Sequence, residues 1–191
     1  MRISKRTAGL TASITLAVSA KAKAMKAAGV DVVGFGAGEP DFDTPENIKV
    51  AAVKAINSGF TKYTPATGMP ELKAAVAEKF KKQNGLTYDP AQVVIACGGK
   101  HALFGAMMAL LDTGDEVIIP TPYWVSYPDM ATVCEARSVF VEGRETNGFK
   151  ITPADLKAAL TPRTKIVILN YPSNPTGAVY SPEETKAIGQ W

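Results

Sequence analysis

The segment QVVIACGGKHALF, residues 92–104, decides the fold that the rest of the chain is expected to adopt. A short apolar run predicts a β-strand, and after Gly98 and Gly99 the apolar residues recur at the spacing of a helix face. The unpaired amides at the start of that helix, around Lys100 and His101, would form an anion site, for which phosphate is the natural ligand. An ordinary strand–turn–helix connection fits the same residues. This segment alone leaves both interpretations open.

The composition is that of an ordinary globular domain. The 191 residues are 46% hydrophobic and 20% charged, with a formal net charge of +3, which is too small to indicate a nucleic-acid partner. The single histidine, His101, and the separated Cys97 and Cys134 supply neither a metal-ligand cluster nor a serine or cysteine triad. Two such cysteines fit a reducing compartment, so the cytoplasm is the expected location.

The N-terminal region imitates a secretory signal only in part. Basic residues precede a mildly apolar segment at residues 10–18, but Thr11, Ser13 and Thr15 interrupt it. The pattern runs on to Gly29 as an amphipathic helix with a glycine stop. No apolar run approaches the length of a membrane span, and no membrane partner is expected.

The following segment, up to residue 91, predicts one strand and two helices. The strand is expected at residues 31–35, and the first helix begins at Pro45 with Thr44 as its cap. The second helix is expected to run from Pro70 to residue 84, with Gly85 as its stop.

From residue 92 onward, predicted strands alternate with predicted helices. The strands are expected at residues 92–97, 116–119, 138–141 and 165–169, and the helices at residues 101–111, 125–134, 153–160 and from 182. This alternation predicts an α/β fold of three layers, with a mostly parallel sheet covered by helices on both faces. Ligands of such sheets gather at the carboxyl ends of the strands. Three loops with unusual residues follow strands, at residues 98–100, 120–124 and 170–177, and we expect them to converge.

The chain as a whole resembles a known family in a set of motifs that share its order and spacing. The motifs are GAGEPDFDTP (36–45), KYTPATGMPELKAAVAEKF (62–80), GGKHALF (98–104), PYWVSYP (122–128) and NYPSNPTGAVY (170–180). They resemble the pyridoxal-phosphate-dependent aspartate aminotransferases of fold type I, in the bacterial branch that carries lysine in the glycine turn. The resemblance implies an N-terminal arm and small-domain segment at residues 1–45. It also implies that residues 46–191 are the first part of the large cofactor-binding domain.

The resemblance implies how pyridoxal phosphate would be bound. Gly98, Gly99 and Lys100 match the turn whose backbone amides hold the cofactor phosphate, in agreement with the anion site inferred above. Tyr63 matches a tyrosine that reaches this phosphate from the partner subunit. A homodimer with a shared active site is therefore implied.

The resemblance also implies which residues face the cofactor ring and the substrate. Trp124 matches the aromatic residue that lies against the ring and touches the substrate. Asn174 matches the asparagine that bonds the ring's phenolic oxygen and the substrate carboxylate, and Gly38 matches a glycine whose backbone contacts that carboxylate. The Lys100 side chain would face the distal acid group of a dicarboxylate.

The implied reaction is ping-pong transamination between aspartate or glutamate and 2-oxo acids. In relatives, the lysine that forms the Schiff base with the cofactor lies beyond the position of Trp191, so no catalytic residue is assigned within this chain. The 191 residues alone are therefore expected to be inactive. Residues 11–13 read Thr-Ala-Ser where many relatives read Lys-Pro-Ser, which weakens any inference to prephenate as a substrate.

Two other functions stay open at this stage. One is an aminotransferase of the same fold for aromatic, branched or other amino acids, and a charge-removing substitution of Lys100 that left dicarboxylate use intact would favour it. The other is a non-catalytic remnant, such as the aminotransferase-like part of a regulator. A lysine motif beyond Trp191 would favour an enzyme over the remnant.

The resemblance further predicts two cis peptide bonds, Thr121–Pro122 and Asn174–Pro175. Only bonds that precede proline adopt the cis form at low cost, about 0.5–1 kcal/mol. Both bonds lie in loops that carry predicted site residues.

Overall fold

The computed structural model describes residues 3–10, 14–36, 38 and 40–191. The departure from the family pattern at residues 11–13 lies outside the described residues. The chain forms two compact units, one of residues 1–11 with 97–191 and one of residues 12–96. The predicted boundary between an arm and a larger domain at residue 45 stays a prediction.

The unit of residues 12–96 is helical. Its helices are α2 (Ile14–Ala27), α3 (Glu46–Asn57) and α4 (Pro70–Asn84). A short 3₁₀ turn, Pro90–Gln92, follows α4. Gly29 (φ 81°) follows α2 and Gly85 (φ 67°) caps α4, both in the left-handed region, so the two predicted glycine stops are confirmed.

The other unit contains a three-stranded parallel sheet and most of the helices that cover it. Its elements are α1 (Lys5–Ala8), α5 (Gly99–Leu110), β1 (Glu116–Thr121), α6 (Ser126–Val133), β2 (Arg137–Glu142), α7 (Pro153–Ala159), β3 (Thr164–Val167) and α8 (Pro182–Gln190). A 3₁₀ turn, Glu145–Asn147, joins β2 to α7. The strand order is β2-β1-β3, with β1 parallel to both neighbours.

Alternate residues of the central strand fill two separate hydrophobic cores. Val117 and Ile119 point to one face and pack with residues of α5 and α6, including Met107 and Met130. Ile118 points to the opposite face, where a second core contains Leu156 of α7. Because successive side chains of a strand face opposite sides, this pattern requires a helix layer on each face. The predicted three-layer α/β/α fold is confirmed.

The two strands predicted at residues 92–97 and 31–35 are wrong. Both segments have no regular secondary structure apart from Gln92, which ends the 3₁₀ turn. The Ile95 amide donates to the Thr67 carbonyl at 3.0 Å, and the described residues offer the 92–97 segment no neighbouring strand. A strand exists only where another backbone pairs with it, and apolar content cannot supply that partner.

The predicted Thr44 cap is also wrong. Helix α3 begins at Glu46, its N-cap position is Pro45, and no side chain caps it. The Pro45 carbonyl accepts from Ile48 and Lys49 instead. Glu46 in the first turn still favours the helix dipole.

Within the described residues, no helix combines the length and the hydrophobicity that a membrane crossing requires. No group of three or more His, Cys, Asp or Glu side chains in that part of the chain is arranged to hold a metal ion.

Glu116 ties the amino ends of the three strands together. It opens β1 and is only 1% exposed. The Thr161 hydroxyl donates to Oε2 at 2.6 Å, and the Arg163 guanidinium donates to Oε1 at 3.1 Å. Arg137, the first residue of β2, places a guanidinium nitrogen 3.5 Å from Oε1. The hydrogen bond from Thr161 and the two arginines hold the pKa of this carboxyl below its ordinary value.

We expect Glu116 to make stability depend on pH in the acid range. Because its folded pKa is depressed, its contribution is complete above the unfolded value of about 4.3 and is lost as pH falls through the folded pKa. The free energy of unfolding of a Glu116→Gln variant is measured by denaturant titration between pH 3 and 7. It should be lower than that of the wild type at pH 7, and it should fall less steeply than that of the wild type as the pH is lowered. Glu142→Gln, an exposed acid of the same sheet, should follow the wild-type curve. If the free energy of unfolding fell equally steeply with acid in the wild type and in Glu116→Gln, Glu116 would not be the source of the pH dependence.

Candidate active site

The turn before α5 presents unpaired backbone amides to open space. Gly98 occupies the N-cap position with φ 84° and ψ 168°, and it has no side chain to cap the helix. The first bond of the helix runs from the Ala102 amide to the Gly98 carbonyl at 3.1 Å. Among the described residues, the amides of Gly99, Lys100 and His101 find no acceptor. A β-carbon on Gly98 or Gly99 would meet nothing within 4 Å, so this helix start can receive an anion.

The side chain of Lys100 lies on the indole ring of Trp124. Lys100 Nζ is 4.8 Å from the ring centroid, within the range of a cation–π contact. The Trp124 ring in turn meets the Tyr127 ring edge-on, with centroids 5.3 Å apart. Burial raises the pKa of Tyr127, which keeps its hydroxyl protonated. The structure therefore brings together the predicted glycine turn and the predicted aromatic residue.

Asn174 lies in a loop that is closed by its own hydrogen bonds. The Asn174 amide donates to Asn170 Oδ1 at 3.1 Å. The Ser173 amide donates to the Ala178 carbonyl at 2.9 Å, and the Gly177 amide donates to the Ser173 carbonyl at 2.8 Å. Gly177 has a φ of 73°, which a residue with a side chain adopts only at a cost. The backbone is thus held while Asn174 stays exposed.

A pair of tyrosines anchors both ends of this loop. The rings of Tyr171 and Tyr180 lie with centroids 4.1 Å apart. The buried Tyr180 hydroxyl accepts from the Ile151 amide at 2.6 Å and donates to the Ile151 carbonyl at 3.1 Å. Burial, together with the hydrogen bond to Tyr180, raises the pKa of Tyr171 far above its ordinary range. Tyr171 therefore acts here as a neutral packing group, and Tyr180 fixes the end of the loop to the backbone of Ile151.

The loops after β1 and β3 share one cleft at the carboxyl ends of those strands. Residues that line it include Pro122, Tyr123 and Tyr127 on one side and Asn170, Ser173 and Asn174 on the other. Tyr127 also contacts the Trp124 ring, and the Lys100 ammonium lies over that ring. The three loops therefore converge within this unit. The predicted convergence is confirmed.

The predicted cis bonds Thr121–Pro122 and Asn174–Pro175 are confirmed. A third cis bond, Tyr171–Pro172, is present in the same region and was not predicted.

Gly38 and Tyr63 belong to the other compact unit, so their predicted roles stay predictions. Tyr63 is fully exposed, and a β-carbon on Gly38 would meet nothing within 4 Å.

Sequence reasoning assigned no role to Tyr127 or Asn170. Asn170 carries a detectable signal, because it is a polar residue just after a strand and four residues before Asn174. Tyr127 carries none, since a tyrosine on a short helix is ordinarily a packing residue.

Comparison with known proteins gives this arrangement a family. Residues 30–191 match the family model described as Aminotransferase class I and II. The chain belongs to this family. The predicted resemblance is thereby confirmed at the family level.

Relatives of this aminotransferase chain cover its whole length. The aspartate aminotransferases of Geobacillus stearothermophilus and Bacillus subtilis are 58% and 53% identical to it over 190 residues, which are 100% of this chain and 48% of each relative. The solved aspartate aminotransferase from Thermus thermophilus with maleate has a TM-score of 0.96 at 48% identity, over 100% of this chain and 50% of that one. The enzyme from Rhizobium meliloti has a TM-score of 0.94 at 49% identity, over 100% of this chain and 48% of that one. The chain therefore spans about half the length of the relatives it matches.

Proposed function

We propose that this chain is part of a pyridoxal-phosphate-dependent aspartate aminotransferase, which moves the amino group between aspartate or glutamate and 2-oxo acids. The observation that carries the proposal is the placement of Lys100. Its backbone amide belongs to an open anion site, and its ammonium group is 4.8 Å from the centroid of the Trp124 ring. One residue can thus serve both a phosphate and a second negative charge nearby.

The residues of the turn fit the phosphate of pyridoxal phosphate. Gly98 and Gly99 leave the space in front of the amides free, and the amides of Gly99 and Lys100 would bind the phosphate oxygens at the positive end of α5. Trp124 offers a flat aromatic surface for the cofactor ring, and Asn174 offers an exposed amide group on a fixed loop. When bound, the cofactor supplies the electron sink that makes the α-proton of an amino acid removable.

The remaining proposed roles concern the substrate. Asn174 and the backbone of Gly38 would bind the α-carboxylate, and Trp124 would contact the substrate beside the cofactor. The Lys100 ammonium would bind the distal carboxylate of aspartate or glutamate as a point charge. The Thermus thermophilus relative described with maleate, a dicarboxylate, supports this substrate class.

The proposal includes a homodimer and a cytoplasmic location. The full exposure of the Tyr63 ring leaves it available to reach the phosphate of a partner subunit, as the family resemblance implies. Both cysteines are free thiols, which suits a reducing compartment.

A hybrid enzyme tests the proposed function. In this hybrid, the 191 residues replace the matching half of the Geobacillus stearothermophilus aspartate aminotransferase, with which they share 58% identity. We expect pyridoxal-phosphate-dependent formation of oxaloacetate from aspartate and 2-oxoglutarate, followed with malate dehydrogenase and NADH. The 191 residues alone, as a control, should show no turnover.

The hybrid also discriminates between the alternatives. A preference for phenylalanine or a branched amino acid over aspartate would replace the proposed substrate with an uncharged one. A folded hybrid that binds no cofactor, beside an active parent enzyme, would favour a non-catalytic remnant.

A further inference from the structure

The imidazole of His101 holds the backbone that leads into the glycine turn. His101 is the third residue of α5, and its Nδ1 accepts a hydrogen bond from the Cys97 amide at 3.2 Å. Only a nitrogen without a proton can accept a hydrogen bond, so this contact requires the imidazole form that carries its proton at Nε2. The bond closes a ring of backbone and side chain around Gly98 and Gly99, the residues that shape the anion site.

Two other helices of this unit, α7 and α8, start in a different way. At α7 and α8, a hydroxyl at the N-cap accepts from the amide of the third helical residue, and the acid at that third position accepts from the N-cap amide. Thr152 with Asp155 and Ser181 with Glu184 form these complete capping boxes. A complete box consumes an amide and places a carboxylate at the helix start, so neither start is open to an anion.

Helix α5 has only one of the two hydrogen bonds of a capping box. In that bond the third helical residue accepts from an amide before the helix, so the amides of the first turn of α5 stay free. Its N-cap is Gly98, which has no side chain, so the amide of the third residue is not consumed. The third residue still reaches back, but it does so with the neutral ring of His101 and to the Cys97 amide one residue earlier. The side chain that fixes the turn is therefore not a carboxylate, unlike the acids in the capping boxes of α7 and α8.

The charged surroundings of His101 within this unit come from two helices. His101 shares an open cleft with Lys100 of its own helix, with Cys97 and with Asp129 of α6. Lys100 turns its ammonium to Trp124. Among the described residues, the His101 side chain makes one hydrogen bond, which is the bond from the Cys97 amide.

We propose that His101 is a positioning residue for the cofactor phosphate: its neutral imidazole fixes the Cys97 amide and thereby aligns the amides of Gly99 and Lys100. This role rests on the proposed function, since it presupposes that pyridoxal phosphate binds at this turn. It depends on two properties of the side chain, an acceptor within reach of Cys97 and the absence of negative charge.

Three variants of the hybrid enzyme separate these two properties. His101→Ala removes the acceptor, His101→Gln keeps a neutral acceptor that can reach back from the third helical position, and His101→Glu keeps an acceptor but adds a negative charge. The dissociation constants of pyridoxal phosphate and of pyridoxal, which lacks the phosphate, are measured by equilibrium dialysis. Hydrogen exchange of the Cys97 amide, measured by NMR, reports the hydrogen bond directly.

We expect the phosphate-bearing cofactor alone to be affected. Loss of one neutral hydrogen bond in His101→Ala should raise the dissociation constant of pyridoxal phosphate about three- to tenfold, with little change for pyridoxal. The Cys97 amide should exchange faster in this variant. His101→Gln should restore both readouts. His101→Glu should protect the Cys97 amide yet bind pyridoxal phosphate as weakly as the alanine variant, and added salt should reduce its defect.

Three results would overturn the inference while the proposed function stands. They are wild-type affinity for pyridoxal phosphate in His101→Ala, an equal loss of affinity for pyridoxal and pyridoxal phosphate, and no rescue by His101→Gln despite a protected Cys97 amide. A wild-type hybrid that does not bind pyridoxal phosphate would overturn the proposed function, and this inference with it.

Discussion

Replacing Lys100 by alanine in the hybrid enzyme is expected to raise the KM for aspartate about tenfold to a hundredfold. Loss of a hydrogen bond to a charged group costs about 1.5–3 kcal/mol, which corresponds to that range. The KM for phenylalanine should change little, because this substrate has no distal carboxylate to lose the contact. Steady-state kinetics with both amino acids measures the difference, and the inhibition constant of maleate gives a second readout.

Two further variants make the Lys100 prediction specific. Lys157→Ala removes an exposed lysine of α7 and should leave both KM values unchanged. Lys100→Met keeps a long side chain on Trp124 without the charge, so it should behave like Lys100→Ala with aspartate. Equal losses for aspartate and phenylalanine in Lys100→Ala would remove this lysine from substrate discrimination.

Replacing Gly143 by alanine is expected to destabilise the sheet and to disturb the loop that carries Trp124. A β-carbon at Gly143 would lie 2.5 Å from the Thr121 carbonyl oxygen and 2.6 Å from that of Phe149. The Gly143 amide also donates to the Thr121 carbonyl at 2.8 Å, so the two segments cannot separate without losing this bond. Since both obstacles are backbone atoms, no side-chain rotation relieves the clash. Overpacking of this kind costs about 1–3 kcal/mol and sometimes more.

Gly105→Ala is the matched control for this prediction. Gly105 lies within α5, where a β-carbon would meet nothing within 4 Å. Alanine in a helix interior is about 0.5–1 kcal/mol more favourable than glycine. Denaturant titration should therefore show opposite changes in the free energy of unfolding for the two variants. Wild-type stability in Gly143→Ala would mean that the backbone around Thr121 yields easily.

The amino-acid sequence predicted best the elements whose signals are local. Helix α4 starts at Pro70 and stops before Gly85 as expected, because a proline in the first turn and a left-handed glycine after the last turn act within a few residues. The strand predicted at residues 92–97 is wrong because strand formation does not depend on local signals alone. Its apolar residues suit a strand, but the pairing backbone must come from elsewhere, and the described residues do not contain it.

Some residues of the candidate site could be predicted from the sequence and others could not. The glycine turn, Trp124 and Asn174 stand out in the sequence because they belong to a set of motifs whose order and spacing resemble those of one family. Tyr127, whose ring meets Trp124, and Asn170, which accepts from the Asn174 amide, act through contacts three and four residues along the chain, and the direction of these side chains depends on how helix α6 and the loop after β3 fold. The His101 contact is local, yet its direction depends on the backbone angles of Gly98.

By itself, the sequence determined the family, the alternation of strands and helices, and the open helix start at Gly98 and Gly99. These follow from motif order, from residue periodicity and from the absence of side chains at two positions. Only the tertiary structure decided that the Lys100 ammonium group rests on Trp124 and that Glu116 ties three strands together. Both contacts join residues more than twenty positions apart, and their partners are specified by the packing of the sheet and its helices.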